Sequence, residues 1–284
     1  MSDLTVEVTT THEKFNAGDA DVIIQSSDGV QFHLHRRYLE AYTGAFPGLD
    51  APFTSDTLAD VTCLTESAEI LEILFEFVYP RRHPNLEDLE FKTLALLAEA
   101  VEKYEVFSAM TICELRLKPF IPTYATEILV HGIKHDYPKF VNEAALHLSR
   151  MRLPLHKFLG NLPGNAIFPW VHYHEAWKDV FEAGIRSIRL DESQGPGVPS
   201  DTACEKCRGL ILALIFKLER VSSLSLLVQQ LDSSTEHIKN FPICKNCPHP
   251  KTAINSADRV IKICKKGVHE MRPFTDFMLG KVLE

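Results

Sequence analysis

Long apolar runs are missing from this 284-residue sequence. The longest, Leu210 to Phe216, has seven residues, whereas a bilayer-spanning helix needs about 20. The opening MSDLTVEVTTTHEK has neither a basic start nor an apolar core, so it does not form a secretory signal. A soluble, intracellular chain is expected, nuclear or cytoplasmic. Catalytic signatures are missing too: no phosphate loop, no G-x-S-x-G elbow, no H-E-x-x-H, and no G-x-G-x-x-G after a strand. Catalysis is left without a positive argument, and the chain reads as a non-enzyme. Basic charge is in deficit, with 30 Lys and Arg against 38 Asp and Glu, a net charge of −8. That sign argues against nucleic acid as the default partner of the whole molecule. Seven cysteines, an odd number without a secretory signal, suggest free thiols or metal ligands rather than a disulfide framework.

What is present concentrates in residues 19–46. Val22, Ile23 and Ile24 are an apolar β-branched run suited to a strand. Asp28-Gly29 suits the positive φ angles of a tight hairpin turn. In Gln31-Phe32-His33-Leu34-His35, Phe32 and Leu34 alternate with polar residues, as a strand with one buried face requires. After Arg36 the period changes: Leu39, Tyr42 and Phe46 have the spacing of one helix face. The reading is strand, hairpin, strand, helix, with no catalytic group built in.

This stretch resembles the BTB/POZ domain, in particular the versions abundant in fungi. The resemblance rests on Ala20-Asp21-Val22, on Ser27-Asp28-Gly29, on Phe32 with His35, and on Leu39, Thr43 and Phe46. Thr43 stands where the family usually has Ser. Leu71 to Tyr79 (LEILFEFVY) is similar to the family's Leu-x-x-Leu-x-x-Phe-x-Tyr helix. The match covers roughly residues 19–118. It implies an α+β fold: a BTB/POZ-like small β-sheet flanked by helical hairpins, here followed by an all-α extension and a Cys-rich helical C-terminal region. It also implies protein partners, a homodimer formed through the domain, and a role as adaptor or scaffold. The dimer surface would include the first helix, Arg37 to Phe46, and an exchanged strand from residues 4–9. Many members recruit cullin-type ubiquitin ligase scaffolds or transcriptional co-regulators. Ligase-recruiting members often carry a hydrophobic-x-Glu motif after the second helix; Gly48 to Asp60 contains no Glu, which puts cullin recruitment in doubt.

Residues 1–18 read as a polar tail or an edge strand, with Leu4, Val6 and Val8 alternating. A short strand is expected at Asp60 to Cys63. Thr65 or Ser67 can cap the next helix, with Glu66 and Glu69 in its first turn. That helix buries Ile70, Leu71, Leu74, Phe75 and Val78 and stops at Pro80. Further helices are expected from Leu89 to Val106 and through Met110, Cys113 and Leu117. Pro119 and Pro122 mark a boundary. Beyond it, residues 119–190 form a helical extension: Ala125 to Ile133 and Lys139 to Leu148 make a hairpin broken at Asp136-Tyr137-Pro138, and a longer helix runs from His172 to about Ile188. Residues 191–203 (DESQGPGVPSDTA) are the clearest linker, and 204–284 are the Cys-rich region.

Cys204-Glu-Lys-Cys207 and Cys244-Lys-Asn-Cys247 are two C-x-x-C knuckles separated by 36 residues. Each such turn presents two thiolates, and two knuckles complete a tetrahedron around Zn²⁺. The expected metal ligands are Cys204, Cys207, Cys244 and Cys247, with His249, Cys264 and His269 in reserve, and the zinc would be structural. Helical faces at Leu210, Leu214, Ile215 and Leu218 and from Leu224 to Leu231 are expected within the insert. From Lys239 to Arg272 there are eight Lys or Arg against two acids. The alternative reading is therefore a zinc-stabilised nucleic-acid-binding or transcription-associated protein using this region. His33 and His35 share a strand face but read as packing residues, with His35 capping the helix. His172-Tyr-His174-Glu175 does not read as a metal site, because residues i and i+2 diverge on a helix.

Overall fold

The computed structural model describes residues 10–47, 61–149, 155–193, 232–233 and 252–281. It divides into two compact units, Met1–Thr123 and Tyr124–Glu284.

In the first unit, β2 (Val22–Gln25) and β3 (Val30–Leu34) form the expected antiparallel hairpin, Ile24 facing Phe32 and Val22 facing Leu34. Gly29 turns it at φ 84°, a conformation that costs glycine little. The β-strand alternation puts Ile24, Phe32 and Leu34 wholly in the core. Two parallel strands complete the sheet in the order β1-β3-β2-β4. β4 (Val61–Cys63) pairs with β2, and β1 (Thr10–Asn16) pairs with β3 across a register shift between Thr11 and Asn16. β1 is an edge strand of this sheet, whereas Leu4, Val6 and Val8, on which the expected tail or edge strand rested, lie outside the described residues. Phe15 fixes it, buried to 2% exposure with ring centroids 6.0 Å from Phe32, 5.8 Å from Phe75 and 5.5 Å from Tyr79.

Between β3 and β4 the chain forms α1 (Arg36–Tyr42), and after β4 come α2 (Ala68–Val78), α3 (Phe91–Lys103) and α4 (Phe107–Leu117). α2 lays Ile70, Leu71, Leu74, Phe75, Phe77 and Val78 into the core. Leu94, Leu97, Ala98 and Val101 of α3 and Cys113 and Leu117 of α4 pack there as well. The helix expected to reach Val106 ends at Lys103, because Glu105 takes φ 50° before α4 begins.

A 3₁₀ turn, Lys118–Phe120, leads into α5 (Ile121–Lys134), in which Tyr124 leaves helical geometry. Pro119 and Pro122 sit at the starts of these elements, where a missing N–H costs least. α5 is followed in the second unit by α6 (Pro138–Ser149), with Asp136 in the left-handed region at φ 57° in the turn between them, at the break expected from Asp136-Tyr137-Pro138. α7 (Leu155–Asn161) and α8 (Gly164–Ser193) follow. The long helix therefore starts well before His172 and takes Pro169 inside it. Burial of Ala166, Trp170 and Tyr173 on one face outweighs the backbone bond that proline removes. The same helix continues through Ser193, into the stretch expected to be linker.

α9 (Thr252–Glu270) packs along α8 through two glycines. A Cβ at Gly184 would lie 2.5 Å from the Cys264 sulfur, and one at Gly267 would lie 2.8 Å from Val180 Cγ1. α10 (Phe274–Met278) is tied to α6 by two 3.0 Å hydrogen bonds: Asn142 Nδ2 donates to Thr275 Oγ1, and the Thr275 amide donates to Asn142 Oδ1. Trp170, Phe158, Tyr173 and Phe274 form the aromatic centre of this unit. Among the described residues no helix is long and apolar enough to cross a membrane.

Candidate protein-interaction surface

The placement of α1 starts from two aspartates at the ends of the β2–β3 hairpin. Asp21 accepts the Arg36 N–H at 2.6 Å and so caps α1, while Asp28 accepts the Ala68 N–H at 2.9 Å and caps α2, 40 residues away. Neither Ser67 nor His35 makes a side-chain cap, although both occupy the position preceding a helix. The ring of His35 is engaged elsewhere: Nδ1 lies 3.0 Å from the Tyr79 hydroxyl and Nε2 lies 3.1 Å from Asp19. The His35 N–H also donates to that hydroxyl at 3.0 Å. The hydrogen bond from His35 holds the Asp19 carboxyl below its usual range, and burial pushes the Tyr79 phenol up. This role leaves no ring nitrogen of His35 for a metal shared with His33.

Only Leu39 of α1 is buried. The helix stops at Tyr42, because Thr43 turns extended and closes an antiparallel bridge with Val106. The Gly44 N–H donates to the Glu105 carbonyl at 3.1 Å, and the Ala45 N–H to the Tyr104 carbonyl at 3.3 Å. Thr43 Oγ1 donates to the Leu39 carbonyl at 2.7 Å. Phe46 then drops into the core against Phe75 and Tyr104, with ring centroids at 6.0 and 4.9 Å. Tyr42, expected on the core face with Leu39 and Phe46, is instead 40% exposed. Phe107, which follows the bridge partner Val106, is 59% exposed. At Gly44 a Cβ would collide with the Glu105 carboxylate and meet Phe107 Cζ at 2.8 Å, so a side chain there would displace both.

Two polar clusters hold the surrounding elements. Glu66 takes hydrogen bonds from Lys103 Nζ at 2.8 Å and from the buried Tyr104 hydroxyl, linking the β4–α2 turn to the end of α3. Burial pushes the Glu66 carboxyl up, but these donors outweigh it and hold the group below its usual value. At the sheet edge, Lys14 reaches Glu72 at 2.5 Å and Glu76 at 3.0 Å, and His12 lies 3.3 Å from Glu72 while stacking on Phe32. The Lys14 hydrogen bond holds the Glu72 carboxyl down.

Residues 12–120 match the family model of the BTB/POZ domain. The N-terminal unit is a BTB/POZ domain. No curated protein matches the chain. The domain brings with it a role in protein–protein interaction. The mixed architecture that the resemblance implied is observed, a small sheet with packed helices followed by further helices. The BTB/POZ pattern residues now have physical roles: Asp21 and Asp28 cap helices, His35 and Tyr79 bond each other, and Thr43 bonds its own helix.

The expected zinc ligands Cys204, Cys207, Cys244 and Cys247 lie outside the described residues, as do His249 and the helical faces expected between the knuckles. Of the reserve ligands, Cys264 is committed to helix packing: its thiol donates to the Val180 carbonyl at 3.7 Å, and burial pushes it up to about 11. His269 is exposed on α9. His172 lies 3.8 Å from Glu175, while His174 is half-buried and held below its usual value by that burial. Within the basic stretch, Lys262 pairs with Asp258 at 2.7 Å, Lys265 with Asp232 at 2.9 Å and Lys266 with Glu270 at 3.7 Å. Sequence reasoning missed Phe107, whose position just after the left-handed Glu105 gives no periodic signal.

Proposed function

We propose that the chain is a non-catalytic adaptor that self-associates through its BTB/POZ domain, with α1 and the Tyr42–Phe107 seam at the contact. The observation that carries this reading is the exposure of two aromatic side chains, Tyr42 and Phe107, that flank a seam fixed by backbone hydrogen bonds. Aromatic residues on rigid backbone are the usual anchors of protein interfaces, and a stable contact of this kind buries roughly 1,200–2,000 Å². Sedimentation equilibrium of the whole chain tests it. The wild type should be dimeric, and Tyr42→Asp with Phe107→Asp should return it to monomer with unchanged circular dichroism. A wild-type monomer at about 100 µM, well above a micromolar dissociation constant, would remove the proposal.

Partners of the dimer are proteins, and the absence of Glu in Gly48 to Asp60, which lie outside the described residues, weighs against a cullin. The same reading includes a structural zinc ion held by Cys204, Cys207, Cys244 and Cys247, supported by the donor chemistry of two C-x-x-C knuckles. Contact of the basic stretch with nucleic acid is the weaker reading, because three of its lysines already face carboxylates.

A further inference from the structure

The second unit carries a surface of its own, independent of the BTB/POZ seam. Along α8, Phe168, His172, Glu175 and Asp179 recur at intervals of four, three and four residues, which is one helix face. Together with Pro169 and with Phe277 of α10 they line a groove of about 460 Å³. Its two ends differ. At one end Phe168 is 75% exposed, beside Val171 at 36%. At the other end stand Glu175 and Asp179. Among the described residues Glu175 pairs with His172, at 3.8 Å, and also acts on His174, while Asp179 has no ion-pair partner. Lys178 stands between the two acids on α8, exposed and without an ion-pair partner among the described residues, and further along the helix Arg186 is engaged by Glu182 at 2.5 Å.

We propose that this groove is a second docking site, and that it takes an amphipathic helix of a partner protein with a large apolar anchor and basic residues two and three turns away. The spacing follows from the helix itself. At about 1.5 Å rise per residue, Glu175 and Asp179 lie roughly 10 and 16 Å along α8 from Phe168. A partner helix laid along the groove matches them with Lys or Arg seven and eleven residues from its anchor. The apolar end supplies burial, and the acids select for cations and reject like charge. The chain's own net charge of −8 weighs against a second copy as the occupant.

A charge-swap experiment on the whole chain tests this. The probe is a fluorescein-labelled Ala/Gln-based helical peptide of about five turns. It carries Phe and Leu as anchors and Lys seven and eleven residues on; a control has Glu at those two positions. By fluorescence polarisation at low salt, the Lys probe should bind about tenfold or more tighter than the Glu probe, and salt should weaken it. Glu175→Lys with Asp179→Lys should reverse that preference, an outcome that a merely misfolded variant does not produce. Phe168→Ala should weaken the Lys probe by about tenfold. The Tyr42→Asp, Phe107→Asp variant should bind as the wild type does, which separates this site from the proposed dimer surface. No binding of the Lys probe up to about 1 mM, equal binding of the Glu probe, indifference to the double charge reversal or to Phe168→Ala, or loss in the dimer-surface variant would each overturn the proposal.

Discussion

Replacing Glu66 by Ala should destabilise the BTB/POZ domain by about 1.5–3 kcal/mol, the range for a hydrogen bond to a charged group with a partner left buried. The Tyr104 side chain is 1% exposed, so its hydroxyl cannot turn to water once the carboxylate is gone. Lys103, by contrast, keeps Thr65 Oγ1 at 2.9 Å and is half-exposed, so its loss contributes little. Tyr104→Phe alone should therefore account for much of the Glu66 effect, and the double variant should cost clearly less than the sum. The pH dependence has a definite sign. The Glu66 carboxyl is held below its ordinary value of 4.5 in the fold. Its contribution is fully present above that value and is lost as pH falls through the lower folded one. The gap between wild type and Glu66→Gln should thus narrow below about pH 4.5. Urea unfolding followed by far-UV circular dichroism measures this at several pH values. Both tryptophans, Trp170 and Trp177, lie in the second unit, so fluorescence serves as an internal control that should not move. A loss under about 0.5 kcal/mol, the scale of an ordinary surface change, or a gap independent of pH, would refute the reasoning.

Asp28→Ala should cost about 0.5–2 kcal/mol by removing the α2 cap, and Asp28→Asn should recover most of it because its side-chain oxygen can still accept the Ala68 N–H; equal losses in unfolding experiments would show that the cap is not what Asp28 supplies. Among the described cysteines, Cys63 is exposed, whereas Cys113 and Cys264 are buried, with thiols that burial pushes up to about 12 and about 11. Iodoacetamide mapping by mass spectrometry should modify Cys63 in the native protein and the other two only after unfolding. For the proposed zinc, Cys204→Ser should lower bound zinc by elemental analysis, and a chelator should loosen residues 204–270 while the BTB/POZ domain stays folded; unchanged metal content in the variant would end that proposal.

The parts of the fold legible in the sequence were those governed by local periodicity. Ile24, Phe32 and Leu34 alternate as a strand must, and Ile70 to Val78 repeat as a helix must. Effects that act across the chain were not legible. Asp28 looks like a turn residue, and nothing near it says that its carboxylate serves a helix 40 residues on. β1 shows one apolar side chain, Phe15, in THEKFN; its other attachments are His12 and Lys14 reaching acids of α2, which no strand pattern encodes. Tyr42 has the spacing of a core residue, yet the pairing of Thr43 with Val106 ends the helix first and leaves it outside. At the α8 groove, His172 and Glu175 were visible, but Asp179 and Phe277 join them only through the helix face and the docking of α10.

These roles explain why the family pattern identifies a fold and stays silent on a partner. Phe32, Leu39, Thr43, Phe46, Leu71 and Leu74 are buried, and Asp21, Asp28, His35 and Tyr79 are occupied by backbone caps or by one another. A side chain whose hydrogen bonds are already used, or whose surface is already covered, has little left to discriminate between partners. The side chains of the two proposed contacts, Tyr42 and Phe107 on the BTB/POZ seam and Phe168, Glu175 and Asp179 on α8, all stand outside that pattern. Substitutions in the pattern should therefore act through stability and weaken every contact together, whereas substitutions at the seam or the groove should separate one contact from the other without unfolding either unit.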